Sequence, residues 1–161
     1  MSASQSERAL AYLHRHNVMT LATCDRDSVW AAAVFYVNDG FTLYFLSSPS
    51  SRHALNMTQQ PRVAATVHED YADWREIKGV QLEGTVCEIP PRDEKRARAL
   101  YAEKFPLVGT LAQAPSAIVK AMARVRWYRL VPEHLHFIDN SAGFGHRTEV
   151  RCADPHPTFR E

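Results

Sequence analysis

The run VWAAAVFYV at residues 29–37 is apolar on both of its alternating faces, with Val29, Ala31, Ala33, Phe35 and Val37 on one and Trp30, Ala32, Val34 and Tyr36 on the other. In an extended chain successive side chains point to opposite sides, so such a strand needs cover on both. The domain's own core supplies one side. The other requires a helix, a bound ligand or a second subunit, and the alanines leave room for something flat. On either flank, Val18–Cys24 and Phe41–Ser47 are rich in Val, Thr and aromatics, set off by the polar turns Asp25-Arg26-Asp27 and Asn38-Asp39-Gly40. Three antiparallel strands joined by hairpins are expected.

Outward from this unit, residues 6–16 read as a helix capped by Ser6, with Leu10 and Leu13 at helical spacing and His14 and Arg15 at its C-terminal end. Residues 50–57 form a short helix, and Pro61–Val67 a strand that starts at a proline. Ile77–Ile89 is a long strand with Val80, Leu82 and Val86 inward and Gln81, Glu83 and Thr85 outward. Pro90-Pro91 ends it, a helix follows over 92–104 with Ala97, Leu100, Tyr101 and Phe105 on its packing side, and a shorter one spans about Ser116–Ala123. Val125–Val131 and His134–Asp139 make a last strand bent at Pro132, and the tail beyond Arg147, with Pro155 and Pro157, is expected to be loosely held. The helices do not alternate with the strands. A mainly β fold is expected, a six- to seven-stranded β-barrel or sandwich with added helices, as one domain over 1–147 with a tail over 148–161.

Nineteen basic against eighteen acidic side chains in 161 residues leave a formal charge of +1, which excludes affinity built on broad phosphate neutralisation, so no nucleic acid is expected. There is no run long and apolar enough for a membrane span, and the polar N-terminus lacks a signal core, so no membrane is expected and the cytoplasm is the expected compartment. Cys24, Cys87 and Cys152 are odd in number and far apart. Neither a disulfide framework nor a thiolate metal site follows from them. His134-x-His136 would put two rings on one strand face but lacks a third ligand at fixed spacing, so no metal is expected. The glycines at 40, 79, 84, 109, 143 and 145 assemble neither a Rossmann fingerprint nor a P-loop. A phosphate would have to be held by Ser and Arg side chains at a helix N-terminus. Phe45-Leu-Ser-Ser-Pro-Ser-Ser-Arg-His53 offers that set: a strand ends in serines and opens a helix beside a guanidinium.

The order Trp30-Ala-Ala-Ala-Val-Phe-Tyr36, Leu43-Tyr-Phe-Leu-Ser47, Ser51-Arg52-His53, Pro61-Arg-Val-Ala64 and Gly79-Val-Gln-Leu-Glu-Gly84 resembles the FMN-binding split barrels related to pyridoxamine 5'-phosphate oxidase. The closing stretch from Phe137 to Arg147 resembles, more narrowly, the YhbP-like branch. The resemblance implies an antiparallel split barrel forming a homodimer with FMN in each of two clefts at the subunit interface. It implies that Ala31, Ala32, Ala33, Val34, Phe35 and Tyr36 meet the isoalloxazine ring through their backbone, with Leu46 and Ser47 beside it. Ser51, Arg52 and His53 would take the phosphate. His53 stands where relatives usually carry Lys, which weakens one charge at neutral pH. Gln81 and Arg147 would complete the site, while Ile138 replaces a flavin-contacting aromatic. The oxidase's substrate-binding cations are missing: Tyr36 stands at a Lys position, and only Tyr101 has a counterpart on the helical excursion. The expected function is therefore that of a flavin-dependent oxidoreductase with a small-molecule substrate and possible NAD(P)H use, distinct from the vitamin B6 enzyme. No catalytic side chain can be named. Haem, with His146 as a candidate axial ligand, and deazaflavin are the alternative cofactors, and a non-enzymatic carrier is the alternative function.

Overall fold

Each hairpin expected between residues 18 and 47 forms. A computed structural model of the chain describes residues 3–106 and 116–152. In it β1 (Val18–Asp25) pairs antiparallel with β2 (Ser28–Asp39), and β2 with β3 (Thr42–Ser47). β4 (Arg62–His68), β5 (Lys78–Glu88), β6 (Arg126–Asp139) and β7 (Arg147–Val150) follow, every pairing antiparallel. The order is β3-β2-β1-β4-β5-β6-β7, and β3 also pairs with β6. That pairing closes six strands into a barrel and leaves β7 as an added strand on β6. The barrel, one of the two architectures the strand pattern left open, is what the chain adopts.

Phe45, Leu43, Leu21, Tyr36, Val80, Leu130, Leu135 and Phe137 fill the interior. Complete burial of a large apolar side chain contributes about 1.5–3 kcal/mol each. α1 (Gln5–Arg15) lays Ala9, Tyr12 and Leu13 on this core, and α2 (Arg52–Gln59) adds Ala54 and Met57. α3 (Lys95–Lys104) covers the outside of the barrel instead, where Ala97 and Tyr101 pack with Val37, Tyr44, Ile89 and Trp127. α4 (Ser116–Met122) precedes β6.

Two local expectations change, and a third takes a definite form. Ser4, and not Ser6, caps α1: its hydroxyl accepts from the Glu7 N–H at 3.2 Å while the Glu7 carboxylate accepts from the Ser4 N–H at 2.6 Å. This reciprocal box needs Ser and Glu three apart, which places the cap two residues earlier. The bend expected at Pro132 takes the form of a bulge: β6 continues through Pro132, and its pairing with β5 shifts between Glu83 and Gly84 so that Glu133 is the extra residue. A proline without an N–H is tolerated at such a bulge. The tail is not free from residue 148, since Arg147–Val150 pairs with β6 and Val150 is buried in the core. The ladder with β6, the buried Val150 and Cys152 packed beside it hold this short edge strand. Pro155 and Pro157 lie outside the described residues.

Asp139 ends β6 fully buried, 1% exposed. Its Oδ1 accepts from the Ser141 N–H at 3.0 Å and hydroxyl at 2.6 Å, and its Oδ2 accepts from Arg8 of α1. Burial raises its pKa, but the two Ser141 bonds and Arg8 outweigh that and leave it below the ordinary carboxylate value. A folded value below the unfolded one stabilises fully above the unfolded pKa and is lost as pH falls through the folded one. Asp139→Asn should cost about 1.5 kcal/mol at pH 7, the low end for a bond to a charged group because Arg8 is a third exposed. Thermal melts at pH 7 and pH 3 check this, the gap between the two proteins closing at the lower pH.

Candidate functional site

β3 delivers Ser47 to the rim of the barrel, and the chain turns through residues 48–50 into α2. Ser51 caps that helix by accepting from the Ala54 N–H at 3.3 Å, and its own hydroxyl donates to the Ser48 carbonyl at 2.8 Å. His53 folds back so that Nε2 lies 2.7 Å from Ser47 Oγ and 3.1 Å from Ser51 Oγ. Burial pushes its pKa down, so the imidazole is neutral at physiological pH. Arg52 is exposed, its guanidinium 4.4 Å above the Trp30 indole. That stacking leaves its N–H edge free to donate. α2 is oriented by Asn56, whose Nδ2 donates to Thr23 Oγ1 at 3.0 Å. The corner thus gathers Ser47, Ser51, Arg52 and His53, with Arg52 as its cation.

Strand alternation divides the six residues expected on β2. Val34 and Tyr36 face inward and are buried, the Tyr36 hydroxyl donating to the Leu13 carbonyl at 2.7 Å, and Ala32 is half-buried on the same side. Ala31, Ala33 and Phe35 face out. α3 covers Val37 and touches Phe35 through Phe105, but the rest of the row is bare: Val29 is 81% exposed and Phe35 56%. Leu46 faces α3 and is half-buried.

Register carries this outer face across the sheet. Ala33, Thr20, Thr66, Gln81 and His136 form one row, and Ala31, Ala22, Ala64, Glu83 and His134 the next. Small side chains on β2, β1 and β4 make a flat surface that turns polar at β5 and β6. Two open concavities lie on it, about 340 Å³ beside Ala22, Cys24, Val29 and Ala64, and about 460 Å³ beside Gln81, His134 and His136, meeting at Glu83. Charges here are paired. Arg62 lies 3.1 Å from Glu83 and 3.2 Å from Glu133, and His134 lies 3.4 Å from Glu149. Among the described residues no group of three or more His, Cys, Asp or Glu is arranged to hold a metal ion.

Gln81 is three strands from Ala33 along its row, about 14 Å at the usual strand spacing. Arg147 is farther still, on β7 opposite Ile138. One protomer therefore does not bring Gln81 or Arg147 to the Ser51–Arg52 corner. Tyr101 is buried against Trp127, with ring centroids 5.2 Å apart, and faces away from the outer groove. His146 lies in the exposed turn before β7, its Nε2 3.3 Å from Thr148 Oγ1. Reading the sequence missed Trp30 as the platform for Arg52. The available signal was its place next to Ala31 on the doubly apolar strand, but contact with α2 is a long-range fact.

The family model described as pyridoxamine 5'-phosphate oxidase matches residues 6–139. The chain belongs to this family. Among curated relatives, the UPF0306 protein plu4501 of Photorhabdus laumondii is 32% identical over 136 residues, 83% of this chain and 87% of the relative. The UPF0306 protein YhbP of Escherichia coli O157:H7 is 28% identical over 136 residues, 83% of this chain and 84% of the relative. Among solved structures, a heme-binding protein from Mycobacterium smegmatis superposes with a TM-score of 0.71 at 20% identity, covering 93% of this chain and 59% of that one. An FAD-binding protein from Mesorhizobium loti gives 0.63 at 22% identity, covering 84% and 92%. At these identities the structural likeness shows the split-barrel fold. No helix among the described residues is long and apolar enough to cross a membrane.

Proposed function

We propose that this member of the pyridoxamine 5'-phosphate oxidase family is a homodimeric flavoprotein that holds FMN between the outer faces of two barrels. One observation carries the reading: a bare, flat, small-residue sheet face on β2 and β1 lies next to a corner whose serines and single guanidinium suit a phosphate. Contiguous exposed apolar surface of this kind marks a binding or association face. Ala31 and Ala33 lie flush enough to receive a planar ring, Phe35 closes one end of that row, and Ser47, Ser51 and Arg52 would hold the phosphate. Neutral His53 departs from a second cation and acts there through its ring N–H or as an acceptor. Because Gln81 and Arg147 are remote within one protomer, they complete the groove of the second copy.

A bound flavin supplies hydride and electron transfer at its ring. The chain's part is placement and exclusion of water, consistent with an oxidoreductase that takes reducing equivalents from a nicotinamide and passes them to a small acceptor. The family membership supports the flavin, and so does the FAD-binding neighbour. The heme-binding neighbour supports a second reading, a carrier that takes haem in the same groove.

Titration of the purified protein with FMN, followed by flavin fluorescence and by absorbance with and without NAD(P)H, tests the proposal. Flavin bands bleached by the nicotinamide support the enzyme, a Soret band on haem addition with no flavin binding transfers the groove to haem, and binding of neither defeats both. Arg52→Ala should weaken FMN binding by about 1.5–3 kcal/mol, the worth of a hydrogen bond to a charged group. An unchanged titration curve removes Arg52 from the site.

A further inference from the structure

The two concavities of the outer face are lined by five titratable side chains, Cys24, Arg62, Glu83, His134 and His136. Ion pairs occupy three of them: Arg62 lies 3.1 Å from Glu83, and His134 lies 3.4 Å from Glu149 and 3.9 Å from Glu83. Cys24 sits on β1 opposite Val29, two strands and two rows from Gln81. His136 is left. Among the described residues its ring has no hydrogen bond or ion pair, the neighbouring Glu149 being engaged by His134. It is half-buried and stands directly across the β5–β6 ladder from Gln81, on the same face, at the roughly 4.5–5.5 Å between Cα atoms of any antiparallel pair. Wherever Gln81 goes in an assembled dimer, His136 goes with it. The recess they share is about 460 Å³, within the roughly 300–1,000 Å³ of small-molecule sites. An imidazole is the side chain whose proton comes and goes near neutrality, and one without partners is free to pass it to a bound molecule.

We propose that His136 of each copy is the proton donor to the acceptor bound in the other copy's groove, and that this acceptor is a quinone or another conjugated carbonyl compound. The inference rests on the reading of the outer face as a flavin groove that Gln81 of the second copy completes. Reduction of such an acceptor at the expense of a nicotinamide delivers a hydride to it and needs one proton at its oxygen. The protonated His136 ring gives that proton through an N–H as the oxygen gains its electron pair, and the neutral ring then takes one from water. In sum NAD(P)H, one proton and the acceptor become NAD(P)+ and the alcohol or hydroquinone, both electrons coming from the nicotinamide. His134 is unsuited to this part, because its ring is held by Glu149 and Glu83. The arrangement also divides the groove by chemistry: Ala31 and Ala33 offer an apolar bed for a planar ring, whereas Gln81 and His136 offer the polar recess where an acceptor's oxygen can sit.

Two measurements on the full-length protein test this. In the first, FMN is added to the flavin-free protein and the histidine ring signals are followed by proton–carbon NMR correlation, His136 being assigned from its loss in His136→Gln. Its signals should shift as FMN binds, while those of His14 on α1 stay in place. In the second, protein carrying light-reduced FMN is mixed by stopped flow with duroquinone, which takes electrons and protons, or with ferricyanide, which takes electrons alone. His136→Gln should slow the reaction with duroquinone about a hundredfold, the lower end for loss of a general acid, and keep that with ferricyanide within about twofold of the parent. Failure of FMN to bind at all brings down the flavin reading and this inference with it. If FMN binds but the His136 signals do not move, or if the variant slows both acceptors alike or neither, the flavin reading stands and the role of His136 is overturned.

Discussion

Gly84→Ala should destabilise the protein by about 3 kcal/mol, the upper range for forcing atoms into a packed site, and lower its melting temperature by about 6–12 °C for a chain of this size. A Cβ built at Gly84 would lie 2.1 Å from the Val131 carbonyl oxygen and 2.8 Å from the Pro132 Cα. Both are backbone atoms of β6 and cannot rotate aside as a side-chain tip would. The reason is the bulge: Glu133 is the extra residue, Gly84 sits opposite Pro132, and the strands approach most closely there. Relief would need β5 and β6 to part at the middle of their shared ladder, where Leu82 and Val86 enter the core on either side. Differential scanning calorimetry of the two proteins decides it. A melting temperature within a degree of the parent would mean that the close approach is not a feature of the folded protein.

On the proposed function, Ala33→Glu should abolish FMN binding, by a hundredfold or more, and convert the proposed dimer to a monomer while the protomer stays folded. The opposite consequences have one cause. In the protomer Ala33 projects outward from β2 into solvent, so a carboxylate there is hydrated and costs little. In the proposed dimer the same position lies under the flavin ring and against the second copy. An ionised carboxylate sealed there without a partner costs several kcal/mol. Arg62, the nearest cation on that face by register, is already held between Glu83 and Glu133. Sedimentation velocity with flavin absorbance detection reads both effects at once. A yellow, dimeric Ala33→Glu protein would show that this face is neither the cofactor surface nor the subunit seam.

Much of the fold was legible because its determinants are local. Two runs rich in Val, Thr, Ala and aromatics, Val18–Cys24 and Val29–Val37, with the polar turn Asp25-Arg26-Asp27 between them, specify a hairpin whatever the rest of the chain does. The inward row Val80, Leu82 and Val86 was equally plain from its period of two. Boundaries that depend on a partner were harder. Val150 becomes a strand residue because Leu135 of β6 is there to pair with it, and nothing in the tail's own residues announces this. At the candidate site, serines before Arg52 and His53 announced a helix N-terminus, and an imidazole in place of Lys announced the weaker charge, but not that His53 would turn back onto Ser47 and Ser51. Nor could spacing reveal that Gln81 and Arg147 sit too far along the sheet to join that corner within one protomer.

By itself the chain's pattern determined that residues 29–37 form a strand apolar on both sides, and hence that something must cover each face, because side-chain alternation and turn chemistry act over a few residues. Only the tertiary structure decided what covers them. Closure of β3 onto β6 turned one side into the barrel interior, and α3 reached Val37 but stopped short of Ala33, Ala31 and Val29. Those contacts join residues scores of positions apart, and their free energy depends on the shape of the whole assembled barrel.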